Sequence, residues 1–210
     1  MKQKDALTKN YVHRIESVLD ISWRILKSRL RDERHLITTE APFQHHFAHI
    51  ISTIGESHCT KREDIFHVDL ETKCEGIKGK RKYIDITCGF TNQNASCAIE
   101  LKFKTNRQGA QDHGRIDAFV DIEALELVCD EKFNIGRFYM ITDSTAYIKQ
   151  SKKGVGTKLT THDGALLKPD VYQYASKGRE EVVVTLNNQY ELEWEKIGKW
   201  YFLEIDINKH

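Results

Sequence analysis

The sequence predicts an α/β fold of the α+β kind: a mixed β-sheet flanked by helices, with a β-rich C-terminal extension. Three observations predict it. Apolar residues recur at helical spacing in two segments up to Ile54 and again between Gln108 and Val128. Three strand-like runs lie between these helical segments, from Ile65 to Phe103. Strand character returns after about residue 180. The 210 residues suit one domain, with a core over about 39–148 and the extension over about 180–207.

The first helix is expected over Tyr11 to Leu30, where Val12, Ile15, Val18, Leu19, Ser22, Ile25 and Leu26 share a face; the charged run Arg29 to Arg34 ends it. Thr39 is a good N-cap for a second helix, with Pro42 tolerated in its first turn and Gly55 as its stop. Ile65 to Cys74 reads as a strand with Phe66, Val68 and Leu70 on one face. Gly76 to Lys82 reads as a basic turn. Tyr83 to Phe90 and Ser96 to Phe103 are apolar runs joined by the polar Thr91–Ala95 turn, a hairpin pattern. After the Gln108–Val128 helix, Phe138 to Ile148 reads as a strand broken near Asp143, and Ser151 to Thr161 as a loop. The tail offers a strand over Val182 to Leu186 and a hairpin, Tyr190–Glu195 with Trp200–Ile207, turning at Ile197-Gly198-Lys199.

Bulk properties narrow the function classes. Hydrophobic residues make up 40% and charged residues 30%, which is enough for a packed and soluble core. The net charge of +1 argues against non-specific coating of nucleic acid but permits a local basic groove. No run of about 18 apolar residues suggests a membrane span, and the polar first ten residues lack a signal-peptide core, so a cytoplasmic location is expected. Cys59, Cys74, Cys88, Cys97 and Cys129 form no CxxC pair, so neither a disulfide framework nor a zinc knuckle is expected.

The residues that carry chemistry are Asp85, in Tyr83-Ile84-Asp85-Ile86-Thr87, and Glu100 with Lys102, in Ala98-Ile99-Glu100-Leu101-Lys102. Strand side chains alternate, so Glu100 and Lys102 share a face, with Ile99 and Leu101 opposite. If the two runs pair as a hairpin, Asp85 lies across from Glu100, and two carboxylates converge with an ammonium. Hard divalent cations take oxygen ligands, and Mg²⁺ uses one or two carboxylates plus waters and phosphate oxygens. A solvated hairpin face is the plainer reading; the apolar content and central place of both strands argue against it.

This pattern resembles the PD-(D/E)xK nuclease superfamily, the restriction-endonuclease-like fold. Asp85 matches the first acid, Glu100 the second and Lys102 the lysine, while Ile84 stands where the family name has Pro. The α-β-β-β-α-β order of residues 39 to 148 also follows that family. The resemblance implies a Mg²⁺- or Mn²⁺-dependent endonuclease, acting on DNA in restriction, defence, mobile-element or repair settings. Asp85 and Glu100 would hold the metal and Lys102 would position the attacking water. It implies a further Glu on the preceding helix as a metal ligand, for which Glu40 fits and Glu56 is a lesser candidate; Glu71 could add a carboxylate from the first strand. Gln108, Gln111 and His113 stand where some branches contact substrate, and a homodimer would let two sites cut two strands.

Lys78, Lys80, Arg81 and Lys82, and also Lys152, Lys153 and Lys158, are basic clusters that would hold a phosphate backbone if they lay beside the site. His45, His46 and His49 lack the Glu of an HExxH motif and read as a polar helix face. The alternative function is a non-catalytic nucleic-acid-binding or partner-binding protein that keeps the nuclease fold.

Overall fold

The computed structural model describes residues 7–34, 37–78, 80–109, 111–176 and 179–208, with the backbone alone for residues 76, 80, 81, 175, 176, 179, 180 and 208. Two helices come first, α1 (Tyr11–Arg31) and α2 (Glu40–Ser57). Strands β1 (Phe66–Ile77), β2 (Lys80–Phe90) and β3 (Ala95–Lys104) follow, then α3 (Gln111–Glu131), β4 (Ile135–Thr142) and the short α4 (Thr145–Ile148). The tail holds β5 (Ala165–Leu167), β6 (Asp170–Ser176), β7 (Arg179–Leu186), β8 (Tyr190–Leu192), β9 (Trp194–Ile197) and β10 (Trp200–Asn208).

Six strands form one mixed sheet in the order β1-β2-β3-β4-β10-β9. The expected hairpin is present: β2 and β3 are antiparallel, from Phe90↔Ala95 to Ile86↔Ile99. β3 and β4 run parallel, joined through α3, with Glu100↔Phe138 and Lys102↔Met140 in register. Among the described residues no helix is long and apolar enough to cross a membrane.

Three expectations are revised. The tail is not only an extension, because β10 pairs with β4 along its whole length, from Tyr201↔Thr142 to Asn208↔Ile135. A strand buried on both faces needs a neighbour on each edge, and β4 has all eight residues buried. The run Phe138–Ile148 divides into the end of β4 at Thr142 and the helix α4, which begins at Thr145 after the bend at Asp143. The basic segment Gly76–Lys82 is mostly strand, with β1 ending at Ile77 and β2 beginning at Lys80.

The sheet separates two cores. On one face Ile15, Leu19 and Leu26 of α1 and Phe43 and Phe47 of α2 pack on Ile86, Cys88, Ile99, Leu101 and Tyr139. Trp23 is the centre of this layer, 4.6 Å from the Tyr139 ring and 5.6 Å from Phe202, ring centre to ring centre. On the other face Phe119, Ile122 and Leu125 of α3 pack on Ala98, Phe138, Met140 and Leu203, with Val184, Leu186 and Leu192 of the tail around them. The tail is docked by Glu126, which is 2% exposed and accepts from the Asn187 and Asn188 amides and the Tyr190 hydroxyl. A buried carboxylate with that many donors is compensated for its lost hydration.

Two glycines are fixed by close approach. Gly55 does not end α2, which runs on to Ser57; a Cβ there would stand 2.1 Å from the Phe66 ring, so its role is to admit β1 against the helix. At Gly89 a Cβ would lie 2.2 Å from the Ala95 carbonyl and 2.8 Å from the Ser96 Cα. Backbone atoms on a paired strand cannot step aside as a ring can. Gly89→Ala is therefore expected to lower unfolding stability by about 1–3 kcal/mol, the range for overpacking. Urea denaturation at constant m-value measures it, and an unchanged midpoint would mean the β2–β3 pairing tolerates the methyl group.

Candidate active site

The β2–β3 ladder ends at Ile86↔Ile99, one residue short of Asp85. Beyond that point β3 has lost its β2 partner, and carboxylates take its place. Asp85 Oδ2 accepts the Leu101 amide at 2.7 Å, and Glu40 Oε2, from the first turn of α2, accepts the Phe103 amide at 3.1 Å. On the other side of β2, the β1 register passes from Leu70↔Ile86 to Thr72↔Ile84 without a Glu71↔Asp85 pair. Gln44 of α2 fills that gap, donating to the Asp85 carbonyl at 2.7 Å and to Glu71 at 2.8 Å. Glu71 has a left-handed backbone, φ 52°, a conformation that a non-glycine residue adopts at a cost.

This irregularity changes which way the strand faces. Ile86 packs into the core under α1 and α2, whereas Ile84, two residues earlier, packs into the core under α3. Strict alternation would put both on one face. With that change of face Lys82 lies on the α3 side, where it meets Glu100 at 3.2 Å and Asp121 of α3 at 2.6 Å. Lys102 meets the other oxygen of Asp121 at 2.6 Å, Glu40 at 3.4 Å and the Leu101 carbonyl at 3.0 Å. Asp121 thus clamps two ammonium groups. Glu100 Oε1 and Asp121 Oδ2 are buried and touch an ammonium, but neither contact has hydrogen-bond geometry among the described residues.

The cluster is short of positive charge. Glu40, Asp85, Glu100 and Asp121 face two ammoniums, so four carboxylates against two cations leave an excess of two negative charges. The acids respond by holding protons. Burial, above all, raises Asp85 to about 6, with Asp121 and Glu40 adding to it and the Leu101 amide and Lys102 opposing. Burial and then Asp121 push Glu100 well above the usual carboxylate range. For Lys102, burial would lower its pKa, but Asp121 and Glu40 outweigh burial and hold it above its ordinary value. Lys82 is raised in the same way by Asp121 and Glu100.

Among the described residues no three His, Cys, Asp or Glu side chains are grouped to hold a metal ion, and His45, His46 and His49 form no such group. The two carboxylates that could hold a metal are Asp85 and Glu100, which act on each other electrostatically, with one Glu100 oxygen buried and without a hydrogen bond among the described residues. That number suits Mg²⁺, which takes most of its remaining ligands from water and substrate. Glu40 belongs to the cluster, but its oxygens are engaged with Lys102 and the Phe103 amide.

The other expected residues are placed variously. Lys82 is part of the cluster, while the Lys80 side chain lies outside the described residues. Lys78 pairs with Glu123, so the described lysines of this basic segment are neutralised by acids. Gln111 and His113 line a separate pocket beyond the ends of β3 and β4. Gln108 accepts the Thr105 amide and so closes the turn before α3. Glu56 is exposed near the far end of α2, and Lys152, Lys153 and Lys158 are exposed on their loop. The residue missed in the sequence was Asp121. Its signal was an acid within the sheet-facing stripe of α3, at helical spacing from Leu125 and Val128.

No family model, no curated protein and no solved structure is significantly similar to this chain.

The raised Asp85 pKa has a consequence for stability. Its carboxyl ionises at about 6 in the folded protein, against the ordinary 3.8, so the folded state binds more protons between those values. Stability of the metal-free protein therefore falls as pH rises from about 4 to about 6, and the penalty is complete above that. Asp85→Asn still accepts the Leu101 amide and removes the penalty. In EDTA its melting temperature is expected above wild type at pH 7.5, with the gain vanishing near pH 4. A variant destabilised equally at both pH values would contradict this charge balance.

Proposed function

We propose that the chain is a divalent-metal-dependent nuclease that hydrolyses phosphodiester bonds in DNA, as an endonuclease of the PD-(D/E)xK kind. The observation that supports it most is the opening of the sheet at Asp85, which gathers Asp85, Glu100 and Lys102 in a cluster with surplus negative charge. Buried like charges destabilise a fold, and a site that concentrates them beside a gap in the sheet is one suited to a cation.

In this reading Asp85 and Glu100 hold Mg²⁺ or Mn²⁺, which when bound polarises the phosphodiester and acidifies its water. Lys102 acts as a fixed positive charge. Its raised pKa suits it to electrostatic stabilisation and positioning, and makes it a poor general base. Asp121 and Glu40 are positioning residues that set where the Lys102 ammonium sits. Gln44 is a positioning residue for Asp85, through its carbonyl.

Purified protein should cut plasmid or single-stranded DNA with Mg²⁺ or Mn²⁺ and fail in excess EDTA. Lys102→Ala is expected to reduce the rate by about a hundredfold or more, the usual consequence of losing a charge that acts at the transition state. Lys102→Arg should not restore it, because a planar guanidinium does not replace a compact ammonium between Asp121 and Glu40. Because Lys102 is a buried partner of two acids, Lys102→Ala should also melt earlier, so rates are compared well below its melting temperature. Equal cleavage by wild type and Lys102→Ala would remove Lys102 from the site, and undiminished cleavage in EDTA would end the metal reading.

A further inference from the structure

A pocket of about 620 Å³ opens beyond the carboxyl ends of the parallel strands β3 and β4, lined by none of the residues of the acidic cluster. Crevices at that end of parallel strands are common ligand sites in α/β folds. Asn106 lies just past β3 and Ser144 just past β4; Gln111 and Arg115 come from the start of α3, and Lys149 and Gln150 follow α4. The lining mixes apolar and polar surface, and its polar side chains set several hydrogen-bond donors beside one carboxylate, Asp112.

Arg115 is the feature that calls for a ligand. Its guanidinium lies within the wall, 5% exposed, and donates to the Ala146 carbonyl and the Thr161 hydroxyl, with the Tyr147 ring alongside. Its carboxylate partner, Asp112, is 3.5 Å away and half exposed. Burial, more than any other influence, holds Arg115 below its ordinary pKa, with Tyr147 and Asp112 opposing it. Close packing fixes its place. A Cβ at Gly156 would come 2.9 Å from the guanidinium carbon, and one at Gly114 would come 2.2 Å from the Tyr147 hydroxyl. The Ser144 hydroxyl, on a residue 1% exposed, has no hydrogen-bond partner among the described residues. Lys149, exposed at the rim, adds a second cation.

We propose that this pocket is an anion subsite that takes a backbone phosphate of the nucleic-acid strand on which the acidic cluster acts. This rests on the nuclease reading and extends it to where the strand runs. Arg115 and Asp121 are six residues apart on α3, which puts the pocket roughly 9 Å along the helix from the Lys102 clamp. A strand cut at the cluster and followed along α3 therefore reaches the pocket within a few nucleotides, on a helix face turned about 120° from Asp121. Arg115 supplies the fixed charge, Ser144 a free hydroxyl, and Gln111, Lys149 and Gln150 the rim contacts.

Titration of the full-length protein in EDTA, followed by amide chemical shifts, tests this without any turnover. The probes are a short single-stranded DNA oligonucleotide, a nucleoside monophosphate and inorganic phosphate. The oligonucleotide is expected to shift the amides of Asn106, Gln111, Ser144 and Lys149. Lys149→Ala, a surface change, should weaken oligonucleotide binding several-fold and lower its salt dependence by about one ion. No shift at these amides with any probe, or oligonucleotide affinity and salt slope unmoved by Lys149→Ala, would overturn the proposal. Shifts with the monophosphate or phosphate but not with DNA would overturn the strand assignment, leaving a free-nucleotide site. Metal-dependent cleavage without pocket shifts would refute the subsite alone. DNA binding in the pocket without cleavage by wild type would instead count against the nuclease reading.

Discussion

The arrangement depends on one local event, the parting of β2 from β3 at Asp85. A central strand that loses its neighbour exposes amides that must find other acceptors. Here the acceptors are carboxylates: Asp85 takes the Leu101 amide and Glu40 the Phe103 amide. Each satisfies the backbone and in doing so is held at the edge of the gap. On the β1 side the missing Glu71↔Asp85 pair leaves the Asp85 carbonyl to Gln44, and beyond Asp85 the strand presents Lys82 to the α3 side. Had the ladder continued one pair further, Asp85 would be an ordinary strand residue.

Such an opening is tolerated because both sides of it are firmly packed. The β2–β3 hairpin is closely fitted at Gly89, and β4 is buried between β3 and β10. Helix α2 delivers Glu40 and Gln44 from one face, and α3 delivers Asp121 from the other. The ammonium groups of Lys82 and Lys102 prevent complete electrostatic failure, since each touches Asp121 at 2.6 Å. The remaining imbalance appears as protons retained on Asp85 and Glu100. A fold under selection for stability alone would have little use for it, and such local conflicts concentrate where a protein does its chemistry.

Much of this was legible in the sequence. The hairpin of residues 83–90 and 96–103 followed from two apolar runs around a polar turn, and alternation put Glu100 and Lys102 on one face. Glu40 was legible as an acid in the first turn of a capped helix. Lys82 was read as part of a basic turn, from the glycines and lysines of residues 76–82, and nothing in composition signals the change of face at Asp85. Asp121 was read over as one more acid on a charged helix. The pairing of β10 with β4 brings residues about sixty positions apart into register, and local patterns carry no information about such a partner. The division of Phe138–Ile148 into strand and helix leaves a helix of only four residues, Thr145–Ile148, too short for apolar periodicity to reveal.

On the proposed reading the acidic cluster is a cation site in which Glu100, and near pH 6 also Asp85, holds protons until the cation arrives. Calorimetric titration of Mn²⁺ into the metal-free protein at pH 6 and pH 8, in buffers of differing ionisation enthalpy, tests it most directly. The account predicts saturable binding that releases protons, more at pH 6 than at pH 8 where Asp85 is already ionised. It also predicts that Asp85→Asn and Glu100→Gln each weaken binding by about tenfold or more, the scale on which losing one charged ligand acts. Absence of binding, or binding without proton release that neither variant disturbs, would contradict it.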